Sequence, residues 1–250
     1  MTQFLRRHAV RIVIGAVLAA MVYGALLVWI PYQREQRIAE EIDVLGGRAE
    51  FEYAGPDWIP TSMRDRTTLF SRVTEVYLKN TRVTDASLEH LKGLTKLERL
   101  SLIFNKQITD AGLGHLKELT KLEVLFLQDN TQVTGASLEH LKELTNLTDL
   151  YLDYTPVTDT SLEHLNGLTK LVCLRLHGTH VTDVGMRHLR ELTKLVWFQL
   201  DDSHVTDAGL QHLKGLTNLT YLYLDGTQVT AGGRELLRKA LPDCEIKPDP

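Results

Sequence analysis

The sequence predicts an α/β solenoid preceded by one transmembrane helix, and three observations carry that prediction. A charge-free apolar run, IVIGAVLAAMVYGALLVWI, occupies residues 12–30. A unit of 24 or 25 residues then recurs seven times, opening at Val73, Leu97, Leu122, Leu147, Leu171, Leu195 and Leu219. Inside each unit the leucines change from alternation to helical spacing, as a strand followed by a helix requires. One such unit cannot bury both its strand face and its helix face, so neighbours must stack. At 43% hydrophobic and 24% charged, the 250 residues suffice for one sizeable core.

The N-terminal element comes first. Nineteen helical residues rise about 28 Å, close to the thickness of a hydrocarbon core. Arg6, Arg7 and Arg11 precede the run, in a basic segment spanning 1–11. Beyond it, Arg34 and Arg37 are mixed with Glu35, Glu40 and Glu41. This bias places the N-terminus in the cytoplasm and the remainder outside, in a periplasm or on a cell surface. Trp29 and Tyr32 suit the outer interface. A cleaved signal peptide has a shorter apolar region and a small-residue cleavage site, and no convincing site follows the run, which favours an uncleaved signal anchor. The chain carries −4 overall and the first thirty residues contribute +3, leaving −7 on the body. An acidic body is a poor match for nucleic acid.

Residues 33–72 read as an N-terminal cap, because a solenoid needs closed ends. REQRIAEEIDVLGG sets Ile38, Ile42 and Leu45 on one helical face and stops at Gly46 and Gly47. RAEFEY alternates Ala49, Phe51 and Tyr53, which predicts a strand, and GPDWIPTSMRDR reads as an irregular loop. The repeats fill 73–232. Each opens with an L-x-x-L-x-L pattern, as in LERLSL and LTDLYL. A polar residue follows in ninth place: Thr81, Asn105, Asn130, Thr155, Thr179, Ser203 and Thr227. Its side chain can serve the backbone of a buried turn. The two asparagines belong to the two 25-residue units, which predicts a wider turn there. Next comes V-T-D or a variant, with Thr84 recurring as Thr109, Thr134, Thr158, Thr182, Thr206 and Thr230. Threonine or aspartate just before a leucine run such as Leu88, Leu91 and Leu94 reads as an N-cap, and where Gly135 and Ala231 replace the aspartate, threonine caps alone. Residues 233–250 depart from the repeat and read as a C-terminal cap: Leu236, Leu237 and Leu241 share a helical face, and Pro242 ends the helix. The two cysteines, Cys173 and Cys244, lie about three units apart, too far to bridge.

The repeat resembles the leucine-rich repeat family, in the T-x-V-T-D-x-x-L-x-x-L form common in bacterial proteins, from Val73 to about Ile246. The resemblance implies a curved solenoid with a parallel sheet on the concave side and short helices on the convex side. With the apolar run, the chain looks like a bacterial membrane-anchored leucine-rich repeat protein. Some proteins with V-T-D repeats are substrate adaptors for ubiquitin ligases, but those carry an extra F-box helical module, for which residues 33–72 are too few.

A histidine recurs in the helix segments of the first six units: His90, His115, His140, His164, His188 and His212. Each points to the flank of its helix, and helices about 8–10 Å apart bring no two imidazoles onto one ion. The row therefore reads as packing, with each ring donating to a nearby carbonyl. His177, His180 and His204, near Asp201 and Asp202, form a less regular set where the strands enter the outer turn. The set fits chance polar decoration better than a metal site, since its ligand order is undefined. No metal and no cofactor is expected. No phosphate-cradling loop, nucleophile elbow or serine–histidine–acid set stands apart from the repeat, so no catalytic residue is expected either.

What remains is the sheet face. Positions two, three, five, seven and eight of each unit point away from the core. They display Tyr77, Phe104, Phe126, Tyr151, Tyr154, Arg175, Trp197, Asp201, Tyr221 and Tyr223. Aromatic anchors with a polar surround are what protein interfaces use. These residues vary between units while the leucine framework does not. The expected function is therefore recognition of a protein or peptide partner on the concave face. A structural envelope spacer and a metal-dependent enzyme are the alternatives.

Overall fold

The computed structural model describes residues 2–57, 59–64 and 70–247, without the side chains of 2–17, 20, 21 and 25–27. One sheet of nine strands runs in sequence order: β1 (Arg48–Tyr53), β2 (Ser71–Tyr77), β3 (Arg99–Ser101), β4 (Val124–Phe126), β5 (Asp149–Tyr151), β6 (Cys173–Arg175), β7 (Trp197–Gln199), β8 (Tyr221–Tyr223) and β9 (Glu245–Lys247). β1 is antiparallel to β2 and every later pair is parallel. This is the leucine-rich repeat solenoid. Its spine is the in-register row Val76, Leu100, Leu125, Leu150, Leu174, Phe198, Leu222 and Ile246, all buried. Each such side chain contributes about 1.5–3 kcal/mol of burial.

The segments opposite the sheet are short. Asp85–His90 and its counterparts begin as single α-turns and finish as 3-10 turns, and Gly135–Leu141 and Asp159–Leu165 are 3-10 throughout. The reason is in the spacing. Leu138, Leu141 and Leu144 stand three apart and are all fully buried, and a three-residue turn aligns them on one line. The recurring histidines fall beside that line, half-exposed to exposed. His140 packs over Gly114, and His90 Nδ1 lies 2.7 Å from Glu41 Oε2. The expected donation to carbonyls is not found at these histidines among the described residues.

The V-T-D motif does more than cap. Thr109, Thr134, Thr182, Thr206 and Thr230 do accept a helix N–H. In addition, the preceding unit's aspartate takes both the backbone N–H and the hydroxyl of that threonine. Asp85 grips Thr109, Asp110 grips Thr134, Asp159 grips Thr182, Asp183 grips Thr206 and Asp207 grips Thr230, at 2.6–2.8 Å. Where Gly135 replaces the aspartate, the Thr158 N–H instead donates to Oγ of its own unit's Ser161 in a capping box. On the turn off the sheet, Asn130 Oδ1 accepts from Asn105 N, and its Nδ2 donates to Leu102 O and Leu127 O. Asn105 reaches back to Thr81 in the same way. Thr155, Thr179 and Thr227 are shorter and close only their own turn. Asparagine therefore joins two units where threonine serves one.

The ends differ in part from expectation. α1 (Thr2–Val44) is a single helix through Pro31, where the sequence suggests an anchor at 12–30 and a separate cap helix from 33. Pro31 removes one helical hydrogen bond, but the turns beyond it are fixed to the body. Ile38 and Ile42 enter the core, and buried Glu35 accepts Val73 N at 2.8 Å beside Arg72. Among the described residues no helix is long and apolar enough to cross a membrane. Most side chains of the span expected at 12–30 lie outside the described residues. A bulge at Glu50/Phe51 breaks the alternation of β1 and leaves Phe51 exposed. The loop after β1 contains a one-turn helix, Thr61–Arg64. At the C-terminus the helix Ala231–Ala240 buries Leu237 and Leu241 but leaves Leu236 53% exposed, against the expectation of a shared face. Gly233 sets the rotation, since a Cβ there would stand 2.0 Å from Asp207 Oδ1. β9 then covers the last repeat, and it was not expected. Cys173 and Cys244 are free and buried.

Candidate binding face on the sheet

Strand register decides which of the expected residues meet. Position five of each unit aligns Phe126, Tyr151 and Arg175 on β4, β5 and β6. Phe126 and Tyr151 stack, with ring centroids 4.4 Å apart and 22° between planes. The Arg175 guanidinium lies 5.8 Å from the Tyr151 centroid and pairs with Asp153 at 3.0 Å. Position three brings Trp197 beside Tyr221, and Tyr223 joins them, both centroids 5.0 Å from the indole. Six of the ten residues thus form two aromatic groups on β4–β8, one of them capped by a cation. Such offset and tilted ring pairs each contribute about 0.5–1.5 kcal/mol beyond area.

Burial sets the electrostatics of the first group. It pushes the Tyr151 phenol well above its ordinary range, with the neighbouring Cys173 sulfur adding to the rise. It also pushes the Cys173 thiol up to about 11, so at neutral pH the sulfur is an inert thiol and not a nucleophile. Burial likewise raises the Asp153 carboxyl, opposed by Arg175 and by the His177 N–H that Asp153 accepts. The pair Arg175–Asp153 holds the guanidinium over Tyr151.

Tyr154 and His177 meet edge to face at 4.5 Å, and the phenol bonds His177 Nε2. His177 also approaches Asp201 at 3.9 Å and Asp202 at 3.6 Å. His180 and His204 stand elsewhere. Each bridges to the preceding unit's threonine on the outer turn, and their rings lie 6.2 Å apart. The three histidines therefore divide between two places. Among the described residues, no group of three or more histidine, cysteine, aspartate or glutamate side chains could hold a metal ion.

Three expected contact residues behave differently. Asp201 is 8% exposed and its carboxylate is committed, accepting Asp225 N at 2.6 Å and Gln199 Nε2 at 2.7 Å. Its carboxylate ties Asp225 to the end of β7. Tyr77 bonds Glu75 and is separated from Phe126 by buried Ser101. Phe104 is 44% exposed and makes no ring contact among the described residues. Position eight explains its posture. Asn80, Phe104, Asp129, Tyr154, Gly178, Asp202 and Gly226 all have φ between 52° and 66°. The turn off the sheet is left-handed in every unit, so Phe104 and Tyr154 sit at a costly conformation that asparagine, aspartate and glycine accept more readily. The glycines, aspartates and asparagine at that position were the available signal.

No protein-family model and no curated protein sequence matches the chain. Solved structures do. The chain is similar to internalin C2 from Listeria monocytogenes, at 22% identity and a TM-score of 0.53, over 72% of this chain and 87% of that one. A second internalin of that organism (inlF) aligns at 19% identity and a TM-score of 0.32, over 68% and 72%. The likeness to internalin C2 agrees with the leucine-rich repeat fold described above.

Proposed function

We propose that this chain is a bacterial, membrane-anchored, non-enzymatic recognition module that binds a protein or peptide on the sheet face of its repeats. One observation carries the reading: Phe126, Tyr151 and Arg175, with Trp197, Tyr221 and Tyr223, form neighbouring half-buried aromatic groups on five adjacent strands. Rigid aromatic anchors of this kind dominate binding energies at interfaces. The apolar run at 12–30 supports an uncleaved anchor with the N-terminus cytoplasmic and the repeats outside. A buried thiol held near 11 and a histidine engaged by a tyrosine favour recognition over catalysis.

The test is crosslinking in native membranes with the full chain, beside a variant carrying Tyr151→Ser and Trp197→Ser. The expected result is one protein crosslinked to the native chain and lost with the variant, whose thermal midpoint confirms that it is folded. Identical crosslinks from both would sink the reading and leave a structural spacer as the better account.

A further inference from the structure

A groove lies away from the sheet face, between α1 and the first repeat. It encloses about 700 Å³ and is lined by Trp29, Ile30, Arg34, Arg37, Glu41 and His90, among others. Its charges are unequally satisfied. His90 pairs with Glu41 at 2.7 Å, and Lys92 pairs with Glu89, the other carboxylate on the wall, at 3.4 Å. Arg72 takes the buried Glu35. Arg34 and Arg37 are exposed and form no ion pair among the described residues. The repeat makes room for one of them. Gly93, Gly167 and Gly215 stand where other units have Glu118, Glu143 and Glu191. A Cβ at Gly167 or Gly215 would meet nothing within 4 Å, whereas one at Gly93 would stand 2.4 Å from the Arg34 guanidinium. Glycine at 93 thus keeps a carboxylate away from Arg34 and lets the guanidinium lie against the body.

Height along α1 suggests what the two cations meet. Arg34 and Arg37 lie four and seven residues past the apolar run, about 6 and 10 Å further along the helix axis. A headgroup layer extends about 5–7 Å beyond the hydrocarbon core. Trp29 lines the lower end of the groove, where interfacial aromatics belong, and the Tyr32 ring lies 6.0 Å from it. We propose that this groove seats the phosphate of an anionic phospholipid headgroup against Arg34 and Arg37, with Trp29 and Ile30 facing the top of its acyl chains. The proposal rests on the anchored reading above. Its consequence is a repeat domain clamped to lipid at its first unit, with the sheet face left free.

The experiment uses the full chain reconstituted into nanodiscs of phosphatidylcholine with about one fifth phosphatidylglycerol, a typical anionic content. Retained lipid is measured by native mass spectrometry after gentle delipidation. Two variants run in parallel: Arg34→Gln with Arg37→Gln, which removes the cations, and Gly93→Glu, which supplies the carboxylate that other units carry. The native chain should retain phosphatidylglycerol about tenfold better than either variant, the scale of one charge-assisted contact. Equal retention by all three, with every form resisting alkaline extraction, overturns the headgroup site and leaves the anchor standing. Release of the native chain by alkaline wash overturns the anchor, and the proposal with it. Displacement of the lipid by inorganic phosphate alone reassigns the groove to a soluble anion and also overturns the proposal.

Discussion

The joint between the third and fourth repeats is tied differently from the joints on either side. At the first two joints, Asn105 and Asn130 cross on the sheet side while Asp85 and Asp110 grip the next threonine on the other. At the last three, Asp159, Asp183 and Asp207 repeat that grip. At the central joint the ninth residue is Thr155, which serves its own turn, and Gly135 offers no carboxylate. Besides the strand ladder, it is spanned by a bond from Thr148 Oγ1 to Glu123 O at 3.2 Å, an exposed bond from Lys170 Nζ to Asn146 Oδ1 at 2.6 Å and the stacked Phe126–Tyr151 pair. Repeats with the same leucines thus need not cohere equally, because cohesion above the shared core comes from a few polar side chains. The least-tied joint also runs through the aromatic patch.

Four measurements would break or sharpen that contrast. The largest effect is expected from Asn130→Ala, which removes a fully buried side chain and strips partners from Asn105 N–H and the Leu127 carbonyl. Thermal and chemical unfolding should show a loss of about 3 kcal/mol; a loss below 1 would mean that the asparagines do not tie their units. Asp183→Ala removes bonds to Thr206 N, Thr206 Oγ1 and Gly209 N, and should cost about 2 kcal/mol, less because the site is half-exposed. The central joint can be altered in the opposite direction. Gly135→Asp alone should destabilise by about 1–3 kcal/mol, since its Cβ would stand 2.4 Å from Ser161 Cβ and Oγ. Paired with Ser161→Gly, the aspartate can grip Thr158, and the double variant should gain about 1 kcal/mol over native. A double variant no better than Gly135→Asp alone would show that the grip is not what the joint lacks.

The smallest effect concerns pH. Burial raises the Glu35 carboxyl above its ordinary range, against the opposing Val73 N–H and Arg72. The folded state then binds the proton more tightly than the unfolded state, so stability from this group is fullest below the ordinary carboxylate value. It is lost as pH rises through the raised one. The melting temperature of the native chain relative to Glu35→Gln should therefore increase on acidification through that window. A flat or reversed difference would mean that the ionised form is the one the N-terminal cap stabilises.

Much of the scaffold was legible because it is written seven times. Leu100, Leu125 and Leu150 recur in place, and stacking requires no further information. What was not legible lies between units. Asp183 reads locally as a helix-start residue, and its partner Thr206 is 23 positions away. Gly135 and Ser161 compensate each other across the same gap. β9 has three residues, too few for alternation to register, and is formed because β8 leaves an edge to pair. Leu236 shares helical spacing with Leu237 and Leu241, yet Gly233 and Asp207 decide which face turns inward. On the sheet face, Tyr151 and Trp197 are placed by repeat position alone. Asp201 reads as a contact residue in the sequence, and only the fold reveals that its carboxylate accepts the Asp225 N–H and Gln199 Nε2.

α1 has a further consequence of its own. Its last turns are embedded in the solenoid core through Ile38 and Ile42, and no linker intervenes between them and the residues that precede Pro31. Among the described residues, the helix is thus joined to the repeats without a flexible linker. Whatever holds the first half of the helix also sets the compass bearing of the aromatic patch. Each residue inserted or deleted between 31 and 35 would index that bearing by about 100° and shift the domain by about 1.5 Å. A partner fixed in position would meet the patch in one phase of this rotation and miss it in the others.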